Sequence, residues 1–485
     1  MLSILVCHSY FLRLDQKQLA RAKPYPPLAT LQVVSVLRHA GHQVEFFDAM
    51  LAEGVEEYEH LLRIDAPQLV LFYEDNFNFL SKMCLAAMRR AACEMIGLAR
   101  RAGARIIAAG PDVSDAPSPY LRAGADLTLI GEGLSALLEL LPRLDSRPDI
   151  GNEDLARGVS GIALLSGGEV QNASGIRAAQ AAEHASLAAW DLVDMARYRD
   201  VWMTQHGYFS LNMAASRGCS FRCNWCAKPI WGNQYLQRNP IEVAAEMAYL
   251  KRAFNPGHIW FADDIFGFRV DWVTEFAAAA LAADALIPFT IQTRADLISE
   301  KMAQALHDAG CKEAWIGAES GSQRILDAMN KGTTVSEILS ARQRLKAAGI
   351  RVGFFIQLGY LDEQLEDILA TRDLLTAGQP DEIGVSVSYP LPGTKFYEVV
   401  KLQLHGKTRW HDSNDLDMMF QGTYTSDFYR AVRDLLHDQV SSQTAPASGS
   451  LEHRGEVDAI ERRWRELLAD ELKYRSSREN SAVTA

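Results

Sequence analysis

The sequence predicts an α/β protein of two successive βα series. The first is an N-terminal parallel sheet of the flavodoxin (Rossmann) type, the second a partial (β/α)6 barrel of the TIM type, and a mostly helical C-terminal tail follows. Three observations carry this. Strand-like apolar runs alternate with amphipathic stretches five times up to about residue 145 and six times after residue 208. The runs are nearly continuous in apolar residues, as expected of strands buried on both faces. At 485 residues the chain is too long for one ordinary core, and its length corresponds to roughly two to four domains.

The first series has strands at "SILVC", "HQVEFFD" (42–48), "QLVLFY" (68–73), "ARIIAAG" (104–110) and "ADLTLIGEG" (125–133). Helices lie between them, such as "PLATLQVVSVLRHAG", which Gly41 ends. Ligands of such sheets sit beyond the carboxyl ends of the strands. His8–Ser9, Asp48, Glu74-Asp75-Asn76, Gly110-Pro111-Asp112 and Gly131-Glu132-Gly133 stand there. "GEGLSA" (131–136) fits GxGxxA, but at the fifth strand rather than the first, so it reads as a chance match. A less regular connector spans 146–208, with a hairpin at "GIALLSGGEV".

The second series has strands "FSLNMAA" (209–215), "HIWFADD" (258–264), "PFTIQTRAD" (288–296), "EAWIGAES" (313–320), "RVGFFIQLG" (351–359) and "EIGVSVSYP" (382–390). Helices such as "IEVAAEMAYLKRAF" and "SEKMAQALHDAG" separate them, and chemistry is expected at the strand C-termini. The expected division is therefore 1–145, 146–208, 209–398 and a C-terminal extension 399–485. In that extension "SSQTAPASGSLEHRG" (441–455) reads as a linker and "VDAIERRWRELLADELKYR" as a docking helix with a solvated face.

A net charge of −12 and the absence of a Lys/Arg run weigh against a nucleic-acid partner. No apolar stretch approaches the ~18 residues of a membrane span. The start of the chain lacks the basic region and cleavage site of a signal peptide. A cytoplasmic location is expected, since three of the seven cysteines are clustered as in a metal or cluster site rather than a disulfide framework.

That cluster is "RGCSFRCNWCAKPIWG" (217–232), directly after the first strand of the second series, with Cys219-x3-Cys223-x2-Cys226. Structural zinc wants four ligands, which would draw Cys311 or His206 in from afar. Iron–sulfur clusters are normally held by four cysteines. Three thiolates on a four-iron cube leave one iron open, and an open position is what a catalytic metal needs to take a substrate.

The motif resembles the radical S-adenosylmethionine (SAM) superfamily signature CxxxCxφC, with the aromatic Trp225 at φ. The resemblance implies a [4Fe–4S] cluster on Cys219, Cys223 and Cys226. It also implies that the open iron binds the amino and carboxylate groups of SAM, which is cleaved to a 5′-deoxyadenosyl radical. "FADDIFG" then offers Asp263 and Asp264 toward SAM, "TRAD" offers Arg294, and "GAESGSQRILDAMNKG" offers Glu319 and Ser320. "SYPLPGTKFYE" (388–398) resembles the sixth-strand ending of many members. Pro390 and Pro392 there are read as shaping the strand exit.

The N-terminal layer resembles the cobalamin-binding domain that precedes the barrel in one class of radical SAM proteins. "YPPLATLQVVSVLRHAGHQVEFFDA" (25–49), "AAGPDVSD" (108–115) and "AGADLTLIGEG" (123–133) carry the likeness. It implies cobalamin near Tyr25, Pro27, Glu74, Asn76, Gly110, Pro111, Asp112, Gly131, Glu132 and Gly133, with "FYEDNFNFLSKMC" (72–84) facing cofactor or substrate. DxHxxG, which donates a cobalt ligand in many cobalamin proteins, is absent, and His8, His39, His42 and His60 are read as surface or capping residues. A cofactor-free layer stays open as an alternative.

Across its length the chain resembles the branch containing anaerobic magnesium-protoporphyrin monomethyl ester cyclase, tail segment 391–432 included. The branch implies a small-molecule substrate, functionalisation of an unactivated C–H bond, and a reductant such as flavodoxin or ferredoxin. Cobalamin-dependent C-methylation is the first expectation and cyclase-like oxidation the second. Rivals are tRNA modification, which the acidic balance opposes, and a non-catalytic cobalamin or redox sensor, which needs no open iron.

Overall fold

The computed structural model describes residues 1–75, 85–172, 187–226, 234–404, 416–444 and 451–476. Asn76 and the rest of 76–84 lie outside the described residues.

In the N-terminal layer β1 (Ser3–Cys7), β2 (Gln43–Phe47), β3 (Leu69–Tyr73), β4 (Arg105–Ala109) and β5 (Leu127–Leu129) pair in parallel, in the order β2-β1-β3-β4-β5. Successive residues on one strand enter opposite cores. Leu5, Cys7, Val70, Phe72, Ile106 and Ala108 pack on one face, and Ile4, Val6, Leu69, Leu71, Ile107 and Ala109 on the other. Both faces are covered, so the central strands β1 and β3 are apolar at both parities, while the edge strand β2 leaves Gln43 and Glu45 exposed. Helix Leu28–His39 ends before Gly41, whose φ of 87° lies in the region glycine enters most freely.

β5 is shorter than its apolar run because Gly131 and Gly133 turn the chain at φ 83° and 76°. A Cβ on Gly133 would lie 2.7 Å from Leu129 Cβ, so only glycine lets the turn fold back this closely. The expected hairpin forms as β6 (Ile162–Ser166) and β7 (Glu169–Asn172). It does not stand apart as a connector: β6 adds antiparallel to β5, and the sheet has seven strands rather than five.

The second series begins with β8 (Ser210–Met213), followed by a short antiparallel ribbon of β9 (Ser216–Gly218) and β10 (Tyr235–Gln237). β11 (His258–Phe261), β12 (Phe289–Thr293), β13 (Cys311–Glu319), β14 (Arg351–Leu358) and β15 (Glu382–Val387) complete a parallel six-stranded sheet in sequential order. Its edges, β8 and β15, are not paired with each other, so the barrel is partial. Leu211, Met213, Ile259, Phe261, Phe289, Ile291, Ala314, Ile316, Val352 and Phe354 form the buried helix-facing core.

The opposite, inward parity carries polar groups. Ser210 Oγ lies 2.9 Å from His258 Nδ1, His258 Nε2 lies 2.9 Å from Thr290 Oγ1, and Thr290 Oγ1 donates to Glu313 Oε2 at 3.4 Å. Tyr25 joins this chain from the N-terminal layer, its Oη 3.0 Å from Ser210 Oγ. Burial pushes the His258 imidazole down to about 4, so the ring is neutral in this chain at pH 7.

Layer and barrel share one core, in which Leu28, Leu31 and Trp190 pack with barrel residues. Trp202 Nε1 donates to the Pro24 carbonyl at 2.7 Å, and Asn212 Nδ2 donates to the Pro26 carbonyl at 2.9 Å. In the tail, helix Ser426–Thr444 runs through the first four residues of the expected linker, and helix Leu451–Ala469 takes up its last five. Residues 445–450 between them lie outside the described residues. The charged helix docks through Trp464, which is buried with Arg372 4.9 Å over its ring.

Just beyond β14, Glu363 is fully buried and accepts the Gly359 N–H at 2.7 Å. Burial pushes its carboxyl up to about 8. A raised folded-state value means that the stability it contributes is full below the unfolded value and is lost as pH rises toward about 8. Glu363→Gln keeps the acceptor but has no proton to lose. Its urea midpoint is therefore expected to fall less than wild type between about pH 5 and pH 8, by a difference on the order of a few kcal/mol in unfolding free energy.

Candidate active site

β8 delivers the chain to the C-terminal mouth of the barrel, and the β9–β10 ribbon turns it into the cysteine segment. Cys219 is buried, and Cys223 and Cys226 are half-buried. The Cys226 N–H donates to the Cys223 carbonyl at 3.4 Å, which closes the last turn. The segment is anchored from outside. The Asn224 N–H donates to the Met329 carbonyl at 2.9 Å, and the Asn224 carbonyl accepts the Phe396 N–H at 3.0 Å. Asn224 Nδ2 donates to the Ala328 carbonyl at 2.8 Å, and Asn330 Nδ2 donates to the Arg222 carbonyl at 2.9 Å. The loop is thus clamped by the turn after Ala328 and by helix Lys395–Val400.

Arg294, just past β12, lies over the Phe221 ring at 3.7 Å and directs Nη1 to Cys223 Sγ at 3.8 Å. Its other donors are held by Asp296 Oδ1 at 2.9 Å, the Lys331 carbonyl at 2.8 Å and Thr333 Oγ1 at 3.0 Å. A fixed guanidinium beside a sulfur offsets the negative charge that a thiolate ligand carries. Trp225 packs against the barrel core, and its buried Nε1 has no hydrogen-bond partner among the described residues.

Asp263 and Asp264 diverge. Asp263 is buried, accepting the Ala215 N–H at 2.9 Å and the Ser216 hydroxyl, so its carboxylate braces the entry to the cysteine segment from within the fold. Burial pushes it up to about 7. Asp264 is exposed at the mouth. On β13, Glu319 pairs with Lys331 Nζ at 2.7 Å, both buried, and Glu319 holds φ at 61°. Ser320 Oγ lies 3.3 Å from Thr371 Oγ1 and accepts the Ser322 N–H at 3.1 Å. Between them Gly321 is pressed so close to helix Leu365–Gly378 that a Cβ would sit 2.1 Å from the Ala370 carbonyl oxygen.

The partners that zinc would need are elsewhere. Cys311 stands at the start of β13, the opposite end of the strand from the mouth, where burial pushes its thiol up. His206 Nε2 faces the Arg21 and Ala22 carbonyls, at 3.2 and 3.0 Å. Among the described residues no three His, Cys, Asp or Glu side chains converge tightly enough for a single ion. A four-iron cube does not ask for that convergence, because each thiolate takes its own iron. The donor set therefore fits the cluster.

At the lip of the N-terminal layer the expected residues gather, each with partners inside the protein. Both Glu74 carboxylate oxygens accept the Ser9 N–H, at 3.0 and 3.1 Å, and burial pushes Glu74 up. Gly110 permits this approach, since a Cβ there would meet Glu74 Cβ at 2.6 Å. Pro111 opens the short helix Pro111–Asp115, in which Asp112 pairs with Arg89 and accepts the Tyr120 hydroxyl at 2.6 Å. The Gly131 N–H donates to Ser114 Oγ at 3.0 Å. Glu132 Oε2 is 3.0 Å from Arg217 Nη1.

Tyr25 and Pro27 are placed differently. Pro27 is buried at the start of helix Leu28–His39, and Tyr25 lies at the seam with the barrel, its ring 5.2 Å from Trp202 and 5.0 Å from Trp260. His8 is corrected from a surface reading. It is buried beside Asp48, with Nε2 3.0 Å from Asp48 Oδ1 and accepting the Ala49 N–H at 3.0 Å. Sequence reading passed over Lys331 and Arg217, although both stand in the quoted motifs; their importance comes from burial against an acid, Glu319 in the same motif for Lys331 and Glu132, 85 positions away, for Arg217.

The Radical SAM superfamily model matches residues 213–375. An uncharacterized methyltransferase of Pyrococcus horikoshii is 24% identical over 377 residues, covering 77% of this chain and 78% of that protein. The anaerobic magnesium-protoporphyrin IX monomethyl ester cyclase of Synechocystis is 24% identical over 401 residues, covering 79% and 75%. Among solved structures, the radical S-adenosylmethionine methyltransferase TsrM from Kitasatospora setae, with cobalamin and a [4Fe–4S] cluster bound, superposes with a TM-score of 0.65 at 18% identity. That match covers 83% of this chain and 78% of that one, and it shows a shared fold.

Proposed function

Because residues 213–375 form a radical SAM domain, we propose that this enzyme cleaves SAM reductively and functionalises an unactivated C–H bond of a small molecule, with cobalamin-dependent C-methylation as the outcome. The observation that carries the reading is a juxtaposition. The strand leading into the cysteine segment reaches by a buried ion pair into the lip of the N-terminal layer, where a flavodoxin-like sheet takes its ligand.

Cys219, Cys223 and Cys226 would hold the [4Fe–4S] cluster, and the layer's lip around Gly110, Gly131 and Gly133 would take the corrin. When bound, the cluster supplies the electron that cleaves SAM to a 5′-deoxyadenosyl radical, and cobalamin supplies a transferable methyl group. Arg294 steadies the charge at Cys223. Asp264, Glu319 and Ser320 stand at the strand ends where SAM would lie, with Glu319 oriented by Lys331. Asp263 contributes by bracing the segment rather than by touching SAM. The Arg217 tie would hold the two sites in register. The electron would come from a reductant such as flavodoxin or ferredoxin. No helix among the described residues is long and apolar enough to cross a membrane.

The test is anaerobic reconstitution with iron, sulfide and hydroxocobalamin, followed by assay for 5′-deoxyadenosine and S-adenosylhomocysteine. Both are expected. Absence of deoxyadenosine under strong reductant would sink the radical reading. Failure to retain cobalamin would remove methylation and leave the cluster assignment standing. Deoxyadenosine with an oxidised product and no homocysteine derivative would favour the cyclase-like reaction, to which the likeness to the Synechocystis protein over 79% of the chain lends support.

A further inference from the structure

Arg217 stands on β9, two residues before Cys219, and only 7% of it is exposed. Its guanidinium leaves the barrel altogether. Nη1 donates to Glu132 Oε2 at 3.0 Å, and Nη2 donates to Gln32 Oε1. Glu132 and Gln32 belong to the N-terminal layer, and each is 4% exposed. Glu132 occupies the turn after β5, whose backbone is held by the Tyr73 hydroxyl donating to the Glu132 carbonyl at 2.7 Å. Gln32 lies on helix Leu28–His39.

We infer that Arg217 is a positioning residue that transmits the state of the layer's lip to the cysteine segment. A charge buried to this degree is strongly disfavoured without its partner. A ligand that enters the crevice and engages Glu132 must therefore share the carboxylate with Arg217, replace it with an acceptor of its own, or displace the guanidinium. Only Gly218 separates Arg217 from Cys219, and β9 is paired to β10 with Arg217 opposite Leu236, so the displacement is felt at the first cysteine. Coupling of this kind is reciprocal: filling the cluster end changes the affinity of the layer for its ligand by the same factor.

The contact is not the only tie between the two parts. The Tyr25–Ser210 and Asn212–Pro26 bonds hold the layer to β8 of the barrel independently of Arg217, and the Trp202–Pro24 bond holds it to the preceding helix Met195–His206. Its loss is expected to uncouple the sites while layer and barrel stay docked. The cluster at the cysteine segment and the identity of the lip's ligand as cobalamin both rest on the function proposed above.

The experiment is a double-mutant cycle on the reconstituted full chain without cobalamin, using Glu132→Gln, Arg217→Met and the pair. The readouts are the electron paramagnetic resonance spectrum of the reduced cluster with SAM and the rate of 5′-deoxyadenosine formation. Each single variant is expected to alter the spectrum and slow the rate by about tenfold. The double variant should be no slower than either one. Arg217→Lys should recover part of the rate. An unchanged spectrum in Glu132→Gln, or strictly multiplicative rate losses, would overturn the inference. If Arg217→Met fails to assemble a cluster, Arg217→Lys combined with Glu132→Gln decides the same point. Added hydroxocobalamin should shift the wild-type spectrum and leave that of Arg217→Met unmoved; a matching shift in both overturns the inference. A wild type that retains no cobalamin instead refutes the cobalamin reading, and the cycle still decides the role of Arg217.

Discussion

Cys223→Ala is expected to abolish both the four-iron absorbance and the cleavage of SAM while leaving the fold in place. Cys223 is the central thiol of the trio and the one that Arg294 approaches at 3.8 Å. With it gone, two thiolates remain for a cluster that needs three, and the Arg294 guanidinium faces a methyl group. The fold should survive because the segment is held by its backbone, through the Asn224 bonds to Met329 and Phe396, rather than by the half-exposed Cys223 side chain. With both proteins free of the cluster, its unfolding free energy should stay within about 0.5 kcal/mol of wild type. Cys311→Ala is the control: that thiol donates to the Glu313 carbonyl at 3.4 Å at the far end of β13, and its removal should spare the cluster. A fully active Cys223→Ala, or a Cys311→Ala without cluster, would refute the assignment.

Lys331→Met is expected to destabilise the protein by about 3–5 kcal/mol, the usual result of removing one partner from a buried ion pair. Glu319 and Lys331 are 5% and 6% exposed, so water cannot take over the missing charge. The pair lies so close over Gly317 that a Cβ there would meet both Glu319 Oε1 and Lys331 Nζ at 2.6 Å. Glu319 also holds a left-handed backbone at φ 61°, where the β13–β14 register shifts, a conformation that persists only when its surroundings enforce it. The double variant Glu319→Met/Lys331→Met should regain most of the stability, since two apolar side chains of similar length replace the pair. It should not regain affinity for SAM. Urea unfolding checks the first result and equilibrium SAM binding the second; a Lys331→Met variant with the wild-type midpoint would show that the pair carries no such burden.

Much of this architecture was legible in the residues. The first four strands and all six barrel strands coincide with the expected runs, because the layer's central strands are buried on both faces and each barrel strand is apolar on its helix-facing parity. The cysteine segment was legible because its three thiols fall within eight residues of one another and need no distant partner. The lip residues were harder to read. Asp263 and Asp264 are adjacent, yet one is buried on Ser216 and the other exposed, because neighbouring side chains at a strand end point to opposite sides. Tyr25 carried a motif likeness and proved to be a seam residue, since its phenol is claimed by Ser210, 185 positions away.

The amino-acid sequence by itself determined the two βα series, their order and the three-thiol segment after β8, all of which depend on local periodicity and spacing. Only the tertiary structure decided that the 162–172 hairpin extends the first sheet, that Lys331 completes Glu319, and that Arg217 ties the cysteine segment to Glu132. The physical reason is the same in each case. Edge pairing and buried ion pairs are stabilised by the burial that folding itself creates, so a residue's partner is chosen by which surfaces exclude water together and not by its neighbours along the chain.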